Sequence, residues 1–309
     1  MTFRSILASR PWRRLAPVLG VLGLSLTLLT ASPVRAADDD RTAAPALWVI
    51  TDADSTLYLF GSVHVLKPDT EWRTPEIEAA FASAEDVWFE LANPDDAAAA
   101  LPIIRQHGLS PDRPLSSRLD AGDVERLDAA ARAIGASAAL MDPMRPWFAA
   151  VNLTMAQLIR AGYQPGTGVD MILLARARED GKTIRAFETL DQQLGLFAAM
   201  PEAVEMAFLR HALDGVDQAT EQVGGMVAAW RTGDAEGLER LLVAEWKTDF
   251  PDLYQTLLTD RNIDWADQIE ARLEGSGVTF VTVGAGHLVG PDSVQAQLAR
   301  RGVVARRLE

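Results

Sequence analysis

The sequence predicts an α/β fold: a central, mainly parallel sheet with flanking helices, two related strand–G-x-x-H–helix halves, and a largely helical middle segment. Three observations predict it. Strands and helices alternate at both ends of the chain, the pattern of a sheet covered on its faces. A short pattern occurs twice, roughly 220 residues apart. In the first copy Leu57-Tyr58-Leu59-Phe60 runs into Gly61-Ser62-Val63-His64 and then Pro68-Asp69; in the second Phe280-Val281-Thr282-Val283 runs into Gly284-Ala285-Gly286-His287 and then Pro291-Asp292. Between the copies lie Ala-rich segments with helical periodicity.

In chain order, Leu47 to Thr51 and Ser55 to His64 read as strands of a hairpin around Asp52-Ala53-Asp54. Thr74-Pro75-Glu76 opens a helix through Ala84, with Thr74 as its cap and Pro75 at the first helical position. Asp86 to Glu90 is the next buried strand, so strand–helix–strand suggests a right-handed parallel crossover. Helices are expected over Asp95 to His107, Asp120 to Gly135, Pro146 to Gly162 and Gly168 to Asp180, then a short strand over Lys182 to Phe187. Further helices follow over Asp191 to Met200, Pro201 to Leu213, Val216 to Arg231, Asp234 to Glu245 and Asp260 to Leu273. The strand Val278 to Val283, a helix from Pro291 to Arg301 and a strand Val303 to Arg307 close the chain.

The first 36 residues read as an export signal, with a cut after Ala36. Arg4, Arg10, Arg13 and Arg14 precede an apolar run, Leu15 to Leu29, and Ala31 to Ala36 supplies small residues at the cut. That run is shorter than the roughly 20 residues that span a bilayer, which disfavours the rival reading of a retained anchor. Arg13-Arg14 lacks the context of twin-arginine export. Residues 37–44 are read as a linker and 45–309 as one domain, with its helical middle at about 95–275. Five of the 29 basic residues and none of the 43 acidic ones lie in the signal, so the remainder is more acidic than the net −14 of the whole chain. Such a chain repels nucleic acid and anionic membrane surfaces. The expectation is a periplasmic or exported protein with no stable membrane insertion after cleavage. A peptide or small-molecule substrate as its partner is what the family resemblance below implies, and its oligomeric state is left open. Without cysteine, disulfides and thiolate ligands are ruled out, and any metal falls to His, Asp or Glu.

Only four histidines are present, and His64 and His287 sit in the repeated setting. Glu90 also ends a predicted buried strand. Active sites in such sheets lie at the carboxyl ends of strands, and two imidazoles with one carboxylate form the ligand set of many catalytic metal sites. A bound ion would lower the pKa of its water and polarise a carbonyl. The bland alternative is a hydrogen-bonded structural histidine and a solvated acid. Arg261-Asn262 reads from the residues alone as a polar pair at a helix start, and Glu188 as either a pocket residue or a helix cap. Arg73 is expected in a surface pair with Glu71 or Glu76, His107 at a helix end, His211 inside a helix, and the eight tryptophans in the core. No phosphate-binding glycine loop or G-x-S-x-G elbow is present.

These residues resemble the TraB/GumN/PrgY family, of the Tiki-like metalloprotease superfamily related to erythromycin esterase and ChaN-like proteins. The resemblance runs from Pro45 to Leu308 and is carried by Leu59 to His64, Phe89-Glu90-Leu91, Gly168-Val169-Asp170, Glu188-Thr189-Leu190 with Gln193, Asp260-Arg261-Asn262 before Trp265, and Val283 to Leu288. It implies an exported metal-dependent hydrolase, a peptidase using manganese or cobalt, with zinc as a third choice. His64, His287 and Glu90 would hold the metal. Glu90 would be ligand or base, Arg261 the electrophile for an oxyanion and Asn262 an orienting donor. Ala92 and Asp260 depart from the family's Glu-Leu-Asp and Glu-Arg-Asn. The alternative implied is a non-catalytic haem-, metal- or peptide-binding protein of the cell envelope.

Overall fold

A computed structural model of the chain describes residues 44–215 and 218–308. The signal segment, its cut after Ala36, all but the last linker residue and the expected start of a helix at Val216 lie outside the described residues. Six strands form one sheet: β1 (Leu47–Thr51), β2 (Ser55–Ser62), β3 (Asp86–Phe89), β4 (Thr183–Ala186), β5 (Gly277–Gly284) and β6 (Arg306–Leu308), in the order β4-β3-β5-β2-β1-β6. The four strands β4, β3, β5 and β2 are parallel, while β1 pairs antiparallel with β2 and β6. The expected hairpin is therefore present, and Asp52 shapes its turn by accepting from the Ser55 N–H at 2.7 Å.

The sheet interleaves the two ends of the chain. β5, from the C-terminal end, lies between β3 and β2, so the crossover from β2 through helix α1 (Pro75–Ser83) skips a place. This puts the two G-x-x-H strands side by side, with Ser62 opposite Gly284. The turns then touch. A Cβ on Gly61 would stand 3.1 Å from the Ala285 Cα, closer than side chains normally approach backbone.

Strand alternation assigns the core to two faces. Phe60, Val87, Phe89 and Phe280 point into the larger core, shared with the helical middle. Leu57, Leu59, Val281 and Val283 point to the other face, covered by the helices Asp260–Leu273 and Val294–Arg300 through Trp265, Ala266, Ile269, Val294 and Leu298. The helical middle comprises α2 (Ala97–His107), α3 (Ala121–Ala133), α4 (Ala138–Met141), α5 (Pro146–Arg160), α6 (Val169–Glu179), α7 (Leu190–Ala198), α8 (Glu202–Asp214), α9 (Ala219–Arg231) and α10 (Ala235–Glu239). Trp147 and Trp230 are buried in it. The helix expected over Asp234 to Glu245 is broken by a π-helical turn, Arg240–Ala244. After α11 (Glu245–Asp249) and α12 (Pro251–Tyr254) a second such turn, Gln255–Thr259, leads into α13 (Asp260–Leu273), and α14 (Val294–Arg300) follows β5. Among the described residues no helix is long and apolar enough to cross a membrane.

Candidate active site

Glu90 follows β3 directly and is buried. Its Oε1 accepts from the Gly284 N–H at 2.7 Å, so the first glycine of the second G-x-x-H turn holds the carboxylate across the strand pair. Its Oε2 accepts from Arg261 Nη2 at 2.8 Å and from Gln193 Nε2 at 3.1 Å. Burial would raise the Glu90 pKa, but Arg261, then His287 and His64, with the Gly284 N–H, outweigh it and bring it down to about 2.

Arg261 sits in the first turn of α13, directly after the π-helical turn. All five of its N–H groups have acceptors. Nε donates to Glu188 Oε2 at 3.2 Å, Nη1 to the Leu257 carbonyl at 3.0 Å and towards His287 Nε2 at 3.1 Å, and Nη2 to Glu90 and to Glu188 Oε1. Its guanidinium also lies over the Trp265 ring, 4.6 Å from the centroid. Burial opposes the charge, yet the two carboxylates win and raise the Arg261 pKa. In this arrangement every Arg261 N–H is already directed at an acceptor within the protein. Glu188 shares the guanidinium but responds in the opposite sense to Glu90. Its burial, with Glu90 close by, keeps its pKa raised despite Arg261.

His287 lies in the 3₁₀ turn after β5 and is buried. Its Nδ1 is 2.6 Å from Asn262 Oδ1, while Asn262 Nδ2 donates to the Asp292 carbonyl at 2.8 Å. That second bond fixes the Asn262 amide with its oxygen towards the ring, so Nδ1 carries the hydrogen and Nε2 presents its lone pair to Arg261. Burial first, and then the Arg261 charge, lower the His287 pKa to about 3. The imidazole is thus neutral at neutral pH. Asn262, expected from the sequence as an orienting donor, accepts from His287 Nδ1 through its oxygen and donates to the Asp292 carbonyl through its nitrogen.

His64 occupies the other turn. Its Nδ1 is 3.2 Å from Asp170 Oδ1, in the first turn of α6. Gly168 makes this approach possible, because a Cβ there would stand 2.2 Å from the His64 carbonyl oxygen. The Val169 N–H also donates to the Val63 carbonyl at 3.0 Å, docking the start of α6 on the turn. Gly168-Val169-Asp170 thus brings the start of α6 against the first G-x-x-H turn.

A small cleft opens beside this cluster, lined by His64, Asp170, Glu90, Gln193, Ser62 and Thr282 together with the apolar side chains of Phe89, Leu91, Pro94 and Leu174. Arg261, Asn262 and His287 are not among its lining residues. The structure therefore divides the expected site into a cleft wall, carrying His64 and Glu90, and a buried support. The donor chemistry of His64, His287 and Glu90 suits a divalent metal, but their arrangement does not. Arg261 stands on Glu90 and on the lone pair of His287 Nε2, and among the described residues no three His, Asp or Glu side chains form a group that could hold an ion.

The residues set aside in the sequence have ordinary places. Arg73 lies over Trp72 and 3.8 Å from Glu78, rather than from Glu71 or Glu76. His107 reaches Asp191 at 2.8 Å. His211 packs edge-on against Phe250, and burial lowers its pKa.

The strand ends converge on paired G-x-x-H turns and a buried Glu–Arg–His cluster. Residues 46–307 match the model of the TraB/PrgY/gumN family, and the chain belongs to that family. It is 23% identical over 256 residues to an uncharacterized protein, YbaP, of Escherichia coli (strain K12), covering 82% of this chain and 92% of that one. It is 22% identical over 272 residues to an uncharacterized protein of Treponema pallidum (strain Nichols), covering 80% and 78%. No solved structure matches the chain.

Proposed function

We propose that the protein is an exported hydrolase of a peptide or related amide, with His64 as the general base. The observation that carries this reading is the His64–Asp170 pair on the wall of the cleft that Glu90 also lines. A carboxylate 3.2 Å from an imidazole nitrogen is the setting of a base that takes a proton from water and returns it to a leaving amine. Glu90 suits the complementary task. With a pKa held near 2 it is a poor base at neutral pH, but its fixed negative charge favours the imidazolium that His64 becomes. Arg261, held by five acceptors, keeps Glu90 ionised, and Asn262 keeps His287 in the tautomer that accepts from Arg261.

The family resemblance adds manganese or cobalt to this picture. With Arg261 placed as it is, the three donors do not receive an ion together, and no step here is assigned to one. The purified chain, treated with chelator and then incubated with a defined peptide mixture, tests the reading by mass spectrometry. Retained cleavage that falls at least 100-fold in Glu90→Gln supports it. Activity lost to chelator and restored by Mn(II) or Co(II) would replace it with the metal-dependent form. No cleavage with or without metal would leave the non-catalytic binding protein as the reading.

A further inference from the structure

The Gln193 side chain is almost fully buried at the start of α7, 1% exposed, and both hydrogens of its amide have a carboxylate to meet. Nε2 donates to Glu90 Oε2 and to Glu188 Oε1, each at 3.1 Å. Those oxygens belong to groups that ion-pair with Arg261, so they accept and do not donate. The amide therefore has one orientation only, with nitrogen towards the carboxylates and Oε1 away from them. The backbone reinforces this, since Thr189 and Gln192 close a capping box that fixes the first turn of α7.

Oε1 is shielded from solvent and has no donor among the described residues, although Gln193 lines the cleft. Buried acceptors in native proteins are normally satisfied by protein or water, so one without a protein donor is open to a donor from water or from a bound molecule. Two further cleft residues, Ser62 and Thr282, each have a buried hydroxyl without a partner among the described residues. A hydroxyl can serve a carbonyl or an N–H, but Gln193 Oε1 can serve only a donor.

We propose that Gln193 is the specificity-determining residue of the cleft, and that its Oε1 accepts the N–H of a secondary amide whose carbonyl is met by Ser62 or Thr282. A peptide unit supplies both groups. An ester of the same shape supplies the carbonyl and no donor, and an N-alkylated amide has lost it. Sites built to bond an N–H discriminate sharply against analogues without one, because the site's own acceptor is then stranded. The assignment deepens the hydrolase reading and rests on the cleft being the substrate site.

The test is binding rather than turnover. The full chain, with ¹⁵N-labelled glutamine side chains, is titrated with N-methylacetamide, with methyl acetate and with N,N-dimethylacetamide. The expected result is saturable perturbation of the Gln193 side-chain signal by N-methylacetamide, with at least tenfold weaker binding of the other two. In Gln193→Met the three probes should bind alike. Equal binding of all three by the wild-type chain, or no response at Gln193, overturns the assignment, and this comparison needs no variant to fold. Equal binding in a chain that cleaves peptides sinks the Gln193 role alone. An amide preference in a chain that cleaves nothing sinks the hydrolase reading and keeps the binding preference.

Discussion

Arg261 is the residue on which the buried half of the site depends. Its guanidinium neutralises two carboxylates in a place with almost no solvent, 10% exposed at the arginine and less at both acids. Removing one partner of such a cluster strands the others, at a typical cost of about 3–5 kcal/mol. Arg261→Ala is expected to lower stability by that order in urea denaturation. Arg261→Lys should recover part of it, because one ammonium cannot reach five acceptors. Asp170 acts on the cleft half. Asp170→Ala should leave the fold intact and reduce activity by about 10²-fold, with loss of a single His64 tautomer in long-range ¹H–¹⁵N spectra. An unchanged tautomer would show that Asp170 does not orient the ring.

At the scale of elements, the start of α6 is the piece that makes the first turn a site. Gly168 is needed there for steric reasons, not for backbone conformation, since its φ is −58°. Gly168→Ala forces its new Cβ into the His64 carbonyl and should cost about 1–3 kcal/mol, measurable as a lower denaturation midpoint. If the midpoint does not move, the docking of α6 on the turn is looser than described. Much of this level was legible in the sequence. The strands, the hairpin, the cap at Thr74 and the helix Asp260 to Leu273 all follow from local periodicity and capping chemistry. The π-helical turns at 240–244 and 255–259 were not legible. One extra residue in a helical turn leaves the apolar pattern almost unchanged, although such turns occur often at functional sites. Nor could the position of β5 between β3 and β2 be read, because strand order depends on contacts across roughly 200 residues.

For the whole molecule, residue types were easier to nominate than their partners. The repeated turns pointed to the carboxyl ends of neighbouring strands, and Glu90, His287, Arg261 and Asn262 contact one another there, with His64 on the adjacent cleft wall. What sequence could not supply was the division of labour, because it depends on which N–H meets which lone pair. Asp170 and Gln193 show this best. Each stood in a quoted motif, and each acquires a role only from one three-dimensional contact. The cluster also gives the molecule a pH signature. His287 has a folded-state pKa of about 3 against an ordinary value near 6.5, and Glu90 about 2 against 4.5. Both values are depressed, so below the ordinary values the unfolded chain binds more protons than the folded one. Stability from His287 is complete above about pH 6.5 and declines towards pH 3; that from Glu90 is complete above about pH 4.5 and declines towards pH 2. These two groups lower the urea midpoint between pH 7 and pH 4, Glu188 with its raised pKa acts in the opposite sense, and His287→Gln should flatten the upper part of the decline. A pH dependence unchanged in His287→Gln would refute the neutral, buried imidazole.

If the cleft beside Glu90 hydrolyses amide bonds with His64 as the base, His64→Gln should lose at least 100-fold in kcat on a peptide cleaved by the wild-type chain, with an unchanged circular dichroism spectrum. A variant that cleaves at the wild-type rate would contradict this reading.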